Sequence, residues 1–224
     1  MGVKNTNFLP MGRSDIINHL AKKISAKSYL EIGVRLHSEN FDRINIDYKV
    51  GVDPCVEFFD REPTYKLTSD DFFAQNTETF DIIFVDGLHE FKQVKRDINN
   101  SLKFLNDGGF IVCHDMNPVI YERQLLKEDP KRHEYSLREK EKGNPEYGLW
   151  NGDCWKAFVK IRNERNDLTM CTVDTDFGCG IISFGRQELL DFKEEDINYQ
   201  NLDKKRKEWL NLISVGEFLN LFTL

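Results

Sequence analysis

The chain has 224 residues, a formal net charge of −7 and five cysteines without CxxC or zinc-ligand spacing, so it can bury a core of its own and its thiols are expected to be reduced. The negative charge argues against nucleic acid as the main partner, because phosphate binding needs a basic surface. No apolar stretch approaches the roughly 20 residues that span a bilayer, and residues 1–13 lack a signal-peptide core, so we expect a cytoplasmic protein without a membrane partner.

The first third of the chain alternates helical and strand patterns. Residues 14–26 predict an amphipathic helix with Ser14 as its N-cap. Apolar runs at 28–34 and 47–53 predict the first two strands, and 65–67 predicts a short third one. This alternation favours a sheet of parallel strands joined by helical crossovers.

Polar residues at these strand ends are candidates for ligand binding. Gly33 follows the first strand, but no GxGxxG fingerprint surrounds it. The chain therefore lacks the usual loop that binds a dinucleotide pyrophosphate. Glu31 beside it favours a cationic group over a phosphate. Asp53 ends the second strand about twenty residues later, where doubly wound folds bind a ribose diol, although a solvated strand end explains it equally well. Ser69 and Asp70 could cap a helix or border an adenine ring.

The central stretch, residues 80–118, reads as strand, helix, strand with one parallel crossover. The first apolar run ends at Asp86, with His89 three residues later, and the second ends at His114 and Asp115. Ligands bind beyond the carboxyl ends of strands in open parallel sheets. If the two strands are neighbours, these four side chains converge on one pocket.

The remainder of the chain is less regular. Residues 119–149 are crowded with charge and punctuated by proline and glycine, which predicts a loop-rich, lid-like insertion. Trp150 and Trp155 flank the start of the next helix and could form a pocket wall or pack in the core. Runs at 168–173 and 177–184 predict an antiparallel hairpin, and residues 203–224 predict a helical tail.

The order of strand–helix units followed by a hairpin resembles the class I S-adenosylmethionine-dependent methyltransferases over roughly residues 28–185. The segments DGLH and HDMNP, flanking a GG turn, resemble the methyltransferase-24 type of bacterial small-molecule and sugar O-methyltransferases. The resemblance implies an α/β, Rossmann-like, doubly wound seven-stranded sheet of order 3-2-1-4-5-7-6, with one antiparallel strand and helices on both faces. It also implies a single methyltransferase domain over residues 1–224.

The resemblance also implies roles for individual residues. S-adenosyl-L-methionine would be bound by residues at four strand ends, namely Glu31, Gly33, Asp53, Ser69, Asp70 and Asp86. Asp86 and Asp115 occupy the positions at which related enzymes bind Mg²⁺, so a divalent cation is a further candidate cofactor. The chain departs from the pattern at His114, where the sugar enzymes have another acid, and histidine shifts the preference toward softer ions.

The expected activity is methyl transfer to a small polar acceptor, in the first place a sugar or glycoside hydroxyl. A hydroxyl needs either a divalent ion to lower its pKa or a histidine to take its proton. His89 is the first candidate for the base and His114 the second, with Asp115 as the third catalytic residue. Either histidine could instead only cap a helix or hydrogen-bond the backbone.

Three other functions remain open from the sequence. An NAD(P)-dependent oxidoreductase needs a pyrophosphate-binding loop, and the turn after Gly33 lacks the glycines of such a loop. A metal-dependent sugar-nucleotide transferase would use Asp174 and Asp176 as an ion site, but a hairpin turn explains them better. A binding module of the same fold without catalysis is the third. The sequence is compatible with a homo-oligomer.

Overall fold

The structure, a computed structural model, describes residues 11–224. Its helices are α1 (Arg13–Ile24), α2 (Ser69–Gln75), α3 (Phe91–Ser101), α4 (Pro130–Glu141), α5 (Cys154–Glu164), α6 (Tyr199–Trp209) and α7 (Val215–Leu221). Its strands are β1 (Ser28–Ile32), β2 (Tyr48–Val52), β3 (Phe80–Val85), β4 (Leu105–Cys113), β5 (Leu168–Val173), β6 (Cys179–Phe184) and β7 (Leu212–Ile213). No helix in this described part is both long and apolar enough to cross a membrane.

The strands form one seven-stranded sheet of order β2-β1-β3-β4-β6-β5-β7. The first four strands in this order pair in parallel, and β6 pairs antiparallel with both β4 and β5. The sheet therefore confirms the Rossmann-like methyltransferase fold, with its antiparallel hairpin between residues 168 and 184.

Helices cover both faces of the sheet because its strands are apolar on both sides. In β3, Ile83 and Val85 pack into one core with residues of α2, α3, α5 and α6. Ile82 and Phe84 point the other way and pack against α1 and α7. Alternate side chains of a strand lie on opposite faces, so a continuous apolar run requires a helical layer on each side.

The strand register brings four chain positions to one edge of the sheet. Ile32 pairs with Val52 of β2 and with Val85 of β3, and Val85 pairs with Cys113 of β4. The next residue after each of these strands is therefore at the same level, and those residues are Gly33, Asp53, Asp86 and His114.

Two predicted elements differ from the structure at the edges of the sheet. The predicted third strand, 65–67, is reduced to one parallel bridge between Tyr65 and Val52. The seventh strand comes instead from the predicted helical tail, where Leu212 and Ile213 pair with β5 between α6 and α7. Two paired residues suffice there because the flanking helices bury their own apolar faces.

Local helix signals were partly misplaced. The N-cap of α1 is Gly12, whose N–H donates to Asp15 Oδ2 at 2.9 Å, whereas Ser14 donates to Asn40. Thr68, not Ser69 or Asp70, caps α2. The insertion 119–149 contains the twelve-residue helix α4 in addition to loops. The expectation about residues 1–13 falls mainly on residues 1–10, which lie outside the described part of the chain.

Candidate active site

Two carboxylates and an imidazole meet where β3 and β4 end. Asp86, His114 and Asp115 each offer a ligand atom, and these atoms lie within 4.8 Å of one another. His114 Nδ1 lies 3.0 Å from Asp115 Oδ2 and 3.4 Å from Asp86 Oδ1. The structure thus brings together the groups that the sequence predicts to converge, because their strands are direct neighbours in the sheet.

His89 closes the same cluster from the loop before α3. Its Nε2 lies 3.3 Å from Asp86 Oδ1 and its Nδ1 lies 3.4 Å from Asp115 Oδ2. These distances exceed those of good hydrogen bonds. The imidazole bridges the two predicted carboxylates without being tightly bound by either, and it remains about one-fifth exposed.

The cluster favours the charged form of its histidines. Burial alone would lower the pKa of His114, but the carboxylates of Asp115 and Asp86 outweigh it and raise the pKa well above its usual range. The pKa of His89 is also raised, since Asp86 and Asp115 outweigh its burial. In return, both imidazoles hold the pKa of Asp86 far below its usual range despite the burial of the carboxyl group.

Arg13 and Asp176 complete the cluster. The sequence analysis did not identify Arg13, and it considered Asp176 only together with Asp174 as an alternative ion site. Arg13 donates from Nη1 to Asp86 at 2.9 Å and from Nε to Asp176 at 3.0 Å. Asp176 Oδ1 lies 3.4 Å from His114 Nε2. Asp174 turns away and accepts from Asn117, so the two acids of the hairpin do not form one ion site.

The donor set fits a divalent cation. Asp86, His114 and Asp115 supply mixed oxygen and nitrogen ligands, which suit transition metals better than Mg²⁺. Two buried ring nitrogens, His89 Nδ1 and His114 Nε2, have no hydrogen-bond partner among the described residues. Buried polar atoms are normally satisfied, so both nitrogens are available to a ligand or ion bound in this site.

Gly33 and Glu31 lie beside this cluster at the end of β1. Gly33 has a φ of +97°, and a Cβ there would lie 2.1 Å from the main-chain oxygen of Asp86. Glu31 is 2 % exposed and accepts at Oε2 from Tyr29 Oη at 2.5 Å and from Asn40 Nδ2 at 2.9 Å. Burial raises the pKa of Glu31 to about 8, although these two hydrogen bonds oppose the rise.

The other predicted cofactor residues lie at the same edge, outside the cluster. Asp53 is half-buried and accepts from the N–H of Cys55 at 2.6 Å, and burial raises its pKa. Ser69 and Asp70 begin α2, and Gln93 of α3 donates to Ser69 at 3.1 Å and to Asp70 at 3.2 Å. These two side chains are therefore tied to α3.

Comparison with known proteins shows which family part of the chain resembles. Residues 18–116 match the model of the methyltransferase-24 family, described as a methyltransferase domain. The match covers 99 of the 224 residues, so the chain is similar to this family over a little less than half of its length. The matched segment, a methyltransferase domain, includes Glu31 and Gly33 and the four clustered residues Asp86, His89, His114 and Asp115.

Solved methyltransferase structures resemble the chain at low sequence identity. An S-adenosylhomocysteine complex of an O-methyltransferase from Bacillus cereus is 14% identical, with a TM-score of 0.44, 75% of this chain covered and 77% of that chain. The S-adenosylhomocysteine-bound methyltransferase PaMTH1 from Podospora anserina is 14% identical, with a TM-score of 0.46 and coverages of 77% and 78%. The O-methyltransferase TomG from Streptomyces achromogenes is 14% identical, with a TM-score of 0.44 and coverages of 75% and 78%. No curated protein sequence matches the chain.

Proposed function

We propose that the protein transfers the methyl group of S-adenosyl-L-methionine to an oxygen atom of a small polar acceptor, with a sugar or glycoside hydroxyl as the first candidate. The observation behind this proposal is the convergence of Asp86, His89, His114 and Asp115 beyond two neighbouring parallel strands. In a methyltransferase domain, this edge of the sheet is where ligands bind. The cluster offers both a proton acceptor and carboxylates that can face a sulfonium cation.

The reaction needs the acceptor oxygen in line with the methyl carbon. The new O–C bond forms as the C–S bond breaks, the bonding electron pair returns to sulfur, and the sulfonium becomes a neutral thioether. The hydroxyl proton must leave during this step, and His89 is the group we assign as its acceptor. Asp86 and Asp115 flank the ring on both sides and stabilise the imidazolium that results.

A divalent cation fits this site as a second component. Asp86, His114 and Asp115 would hold it, and a bound ion would lower the pKa of an acceptor hydroxyl. Binding would also neutralise the carboxylates that now keep His114 charged. The imidazole would then give up its proton, since only neutral histidine binds metals.

The cofactor residues are proposed from their place at the strand ends. Glu31 and Gly33 would face the amino-acid end of the cofactor, Asp53 the ribose hydroxyls, and Ser69 and Asp70 the adenine. Asp86 would face the ammonium or the sulfonium. The close approach of Gly33 to the main chain of Asp86 supports this assignment. It brings the ends of β1 and β3 near enough to contact the same ligand.

Cofactor binding is expected to release a proton from Glu31. In the free protein its pKa of about 8 keeps the carboxyl mainly protonated at pH 7. A nearby ammonium favours the ionised form and lowers that pKa, so binding should expel the proton. Calorimetry with S-adenosylhomocysteine in two buffers of different ionisation enthalpy measures this release. Glu31→Gln should abolish it, while the exposed control Glu141→Gln should not; equal release from Glu31→Gln would contradict the assignment.

Two aspartate variants test the proposed function itself. Asp86→Ala should weaken S-adenosylhomocysteine binding and also lower turnover, because Asp86 would face both the cofactor and the acceptor. Asp115→Ala should lower turnover by about 10- to 100-fold and change cofactor affinity much less. The exposed control Asp107→Ala should leave both unchanged. Calorimetry that shows no binding of S-adenosylhomocysteine to the wild-type protein would refute the proposal.

The acceptor class is open to a direct assay. Mass spectrometry of products from glycosides, small phenols and carboxylates identifies which oxygen gains the methyl group. Trp155 is fully buried, so only Trp150 remains as a wall of the acceptor site. The Trp150 ring stacks against the His89 ring at a centroid distance of 4.9 Å. An acceptor bound at the edge of the tryptophan ring would therefore lie beside the imidazole.

Three further expectations remain proposals. We propose that the chain acts as one methyltransferase domain, with residues 119–149 as a lid. An ion pair between Lys127 and Glu57 supports the lid, because it joins the insertion to the loop that follows Asp53. We also propose that the protein is cytoplasmic, where its five cysteines would stay reduced.

A further inference from the structure

The four residues Trp150–Asp153 lie between the insertion and α5, and they contact both sides of the candidate site. We propose that Trp150 and Asn151 are positioning residues, which fix the imidazole of His89 and the carboxylate of Asp115. This role does not require either residue to touch the cofactor, and Trp150 can at the same time form the wall of the acceptor site. The inference deepens the proposed function and rests on it for its kinetic consequences, but the contacts themselves can be tested separately.

The ring plane of His89 is set by Trp150. The two rings stack with centroids 4.9 Å apart and an interplanar angle of 25°. The carboxylates around His89 lie 3.3 and 3.4 Å from its nitrogens, and Nδ1 has no hydrogen-bond partner among the described residues. Because hydrogen bonds of this length hold a ring only weakly, the stack is the main constraint on its orientation.

The main chain of His89 is held by the same segment. Its carbonyl oxygen accepts from the N–H of Asp153 at 3.3 Å, and Asp153 Oδ1 accepts from the N–H of Phe91 at 2.6 Å. Gly152 has a φ of +65°, and a Cβ there would lie 2.0 Å from the carbonyl oxygen of His89. The two segments therefore touch through their backbones, which leaves His89 little freedom to shift.

Asn151 holds the second group. It is 1 % exposed, and its Nδ2 donates to Asp115 Oδ1 at 2.9 Å. A carboxylate can only accept, so the amide must present its nitrogen. The other oxygen of Asp115 lies 3.0 Å from His114 Nδ1. With one partner on each oxygen, the rotation of this carboxylate is fixed, and removal of Asn151 frees it.

The segment is also fastened to the insertion. Trp150 Nε1 donates to the carbonyl of Leu125 at 2.7 Å, and the N–H groups of Asn151 and Gly152 both donate to the carbonyl of Arg123 at 3.0 Å. The guanidinium of Arg132 on α4 lies 4.9 Å from the Trp150 ring centroid. Through these contacts, the placement of His89 and Asp115 depends on residues of the insertion.

The kinetic test compares Trp150→Ala, Trp150→Phe and Asn151→Ala with the exposed control Leu189→Ala, which lies between β6 and α6. The two alanine variants should lower kcat by about 10- to 100-fold, as losses of supporting contacts do. Their KM for S-adenosyl-L-methionine should stay within about threefold of wild type, because positioning acts on turnover and not on cofactor binding. Trp150→Phe should recover most of the loss, since a smaller ring still stacks. The control should behave as wild type.

A second readout needs no turnover. Carbon-13 NMR of selectively labelled histidine reports on the His89 ring, which we expect to be ordered in wild type and Trp150→Phe and mobile in Trp150→Ala. An unchanged His89 ring together with unchanged kcat in Trp150→Ala would overturn the inference. An increased KM with unchanged kcat would equally do so, because it would assign Trp150 to binding. Failure of the wild type to bind S-adenosylhomocysteine would instead refute the proposed function, while the NMR result would still decide whether Trp150 orders His89.

Discussion

Replacement of His89 by alanine is expected to lower kcat by about 10²- to 10⁴-fold, the usual contribution of a general base. The binding of S-adenosylhomocysteine should change little, because His89 faces the acceptor side of the cluster in our proposal. Initial rates with a methyl acceptor and calorimetry with S-adenosylhomocysteine measure the two effects. The exposed control Asp107→Ala should match wild type.

The pH dependence gives this prediction a second, independent form. A base must be unprotonated, and Asp86 and Asp115 raise the pKa of His89 above its usual value near 6.5. The rate should therefore fall as the pH drops through a pKa higher than that value, and this limb should vanish in His89→Ala. Full turnover in His89→Ala would end its assignment as base. Activity that survives a chelator would exclude the metal and leave the base in place.

The central part of the fold was predictable because its signals are local. The stretch from residue 80 to 118 contains two apolar runs with a helical pattern between them, and the crossover rule makes them parallel. Their adjacency in the sheet then follows from the short connection, and it brings Asp86 and Asp115 together. Residues that matter because of their place at a strand end could thus be found from the sequence.

Contacts between distant segments could not be predicted in this way. Arg13 and Asp176 are separated by 163 positions, and their ion pair depends on how α1 packs beside the β5–β6 hairpin. Nothing in the pattern around either residue signals that contact. Asparagine just before a helix is typical of a cap, and nothing in the pattern around Asn151 signals its hydrogen bond to Asp115.

Competition between neighbouring polar residues explains another class of error. Thr68, Ser69 and Asp70 are all good N-cap residues, and their order alone does not decide which one caps α2. The structure selects Thr68, which accepts from the N–H of Asp71 at 3.1 Å. Gln93 then engages the other two from α3. The three residues have similar capping propensities, so the contact between α2 and α3 decides which of them caps the helix.

Replacement of Gly33 by alanine is expected to destabilise the fold by more than about 4 kcal/mol, a range reached only by severe core or backbone changes. A Cβ at this position would lie 2.1 Å from the Asp86 carbonyl oxygen and 2.8 Å from the Cα of Gly87. These are backbone atoms next to the centre of the sheet, where Asp86 N also donates to Ile32 O at 2.9 Å. They cannot move aside without breaking the pairing of β1 and β3.

Variants at two other glycines distinguish the steric clash from the backbone strain as causes of the stability loss in Gly33→Ala. Gly108→Ala shares the positive φ, at +76°, but meets no atom within 4 Å, so it should cost only the backbone strain of about 1–2 kcal/mol. Gly148→Ala has neither feature and should be close to neutral. Urea unfolding of the three variants measures the series. If Gly33→Ala lost no more stability than Gly108→Ala, the close approach of β1 to Asp86 would be wrong, and with it the placement of Glu31 and Asp86 around one ligand.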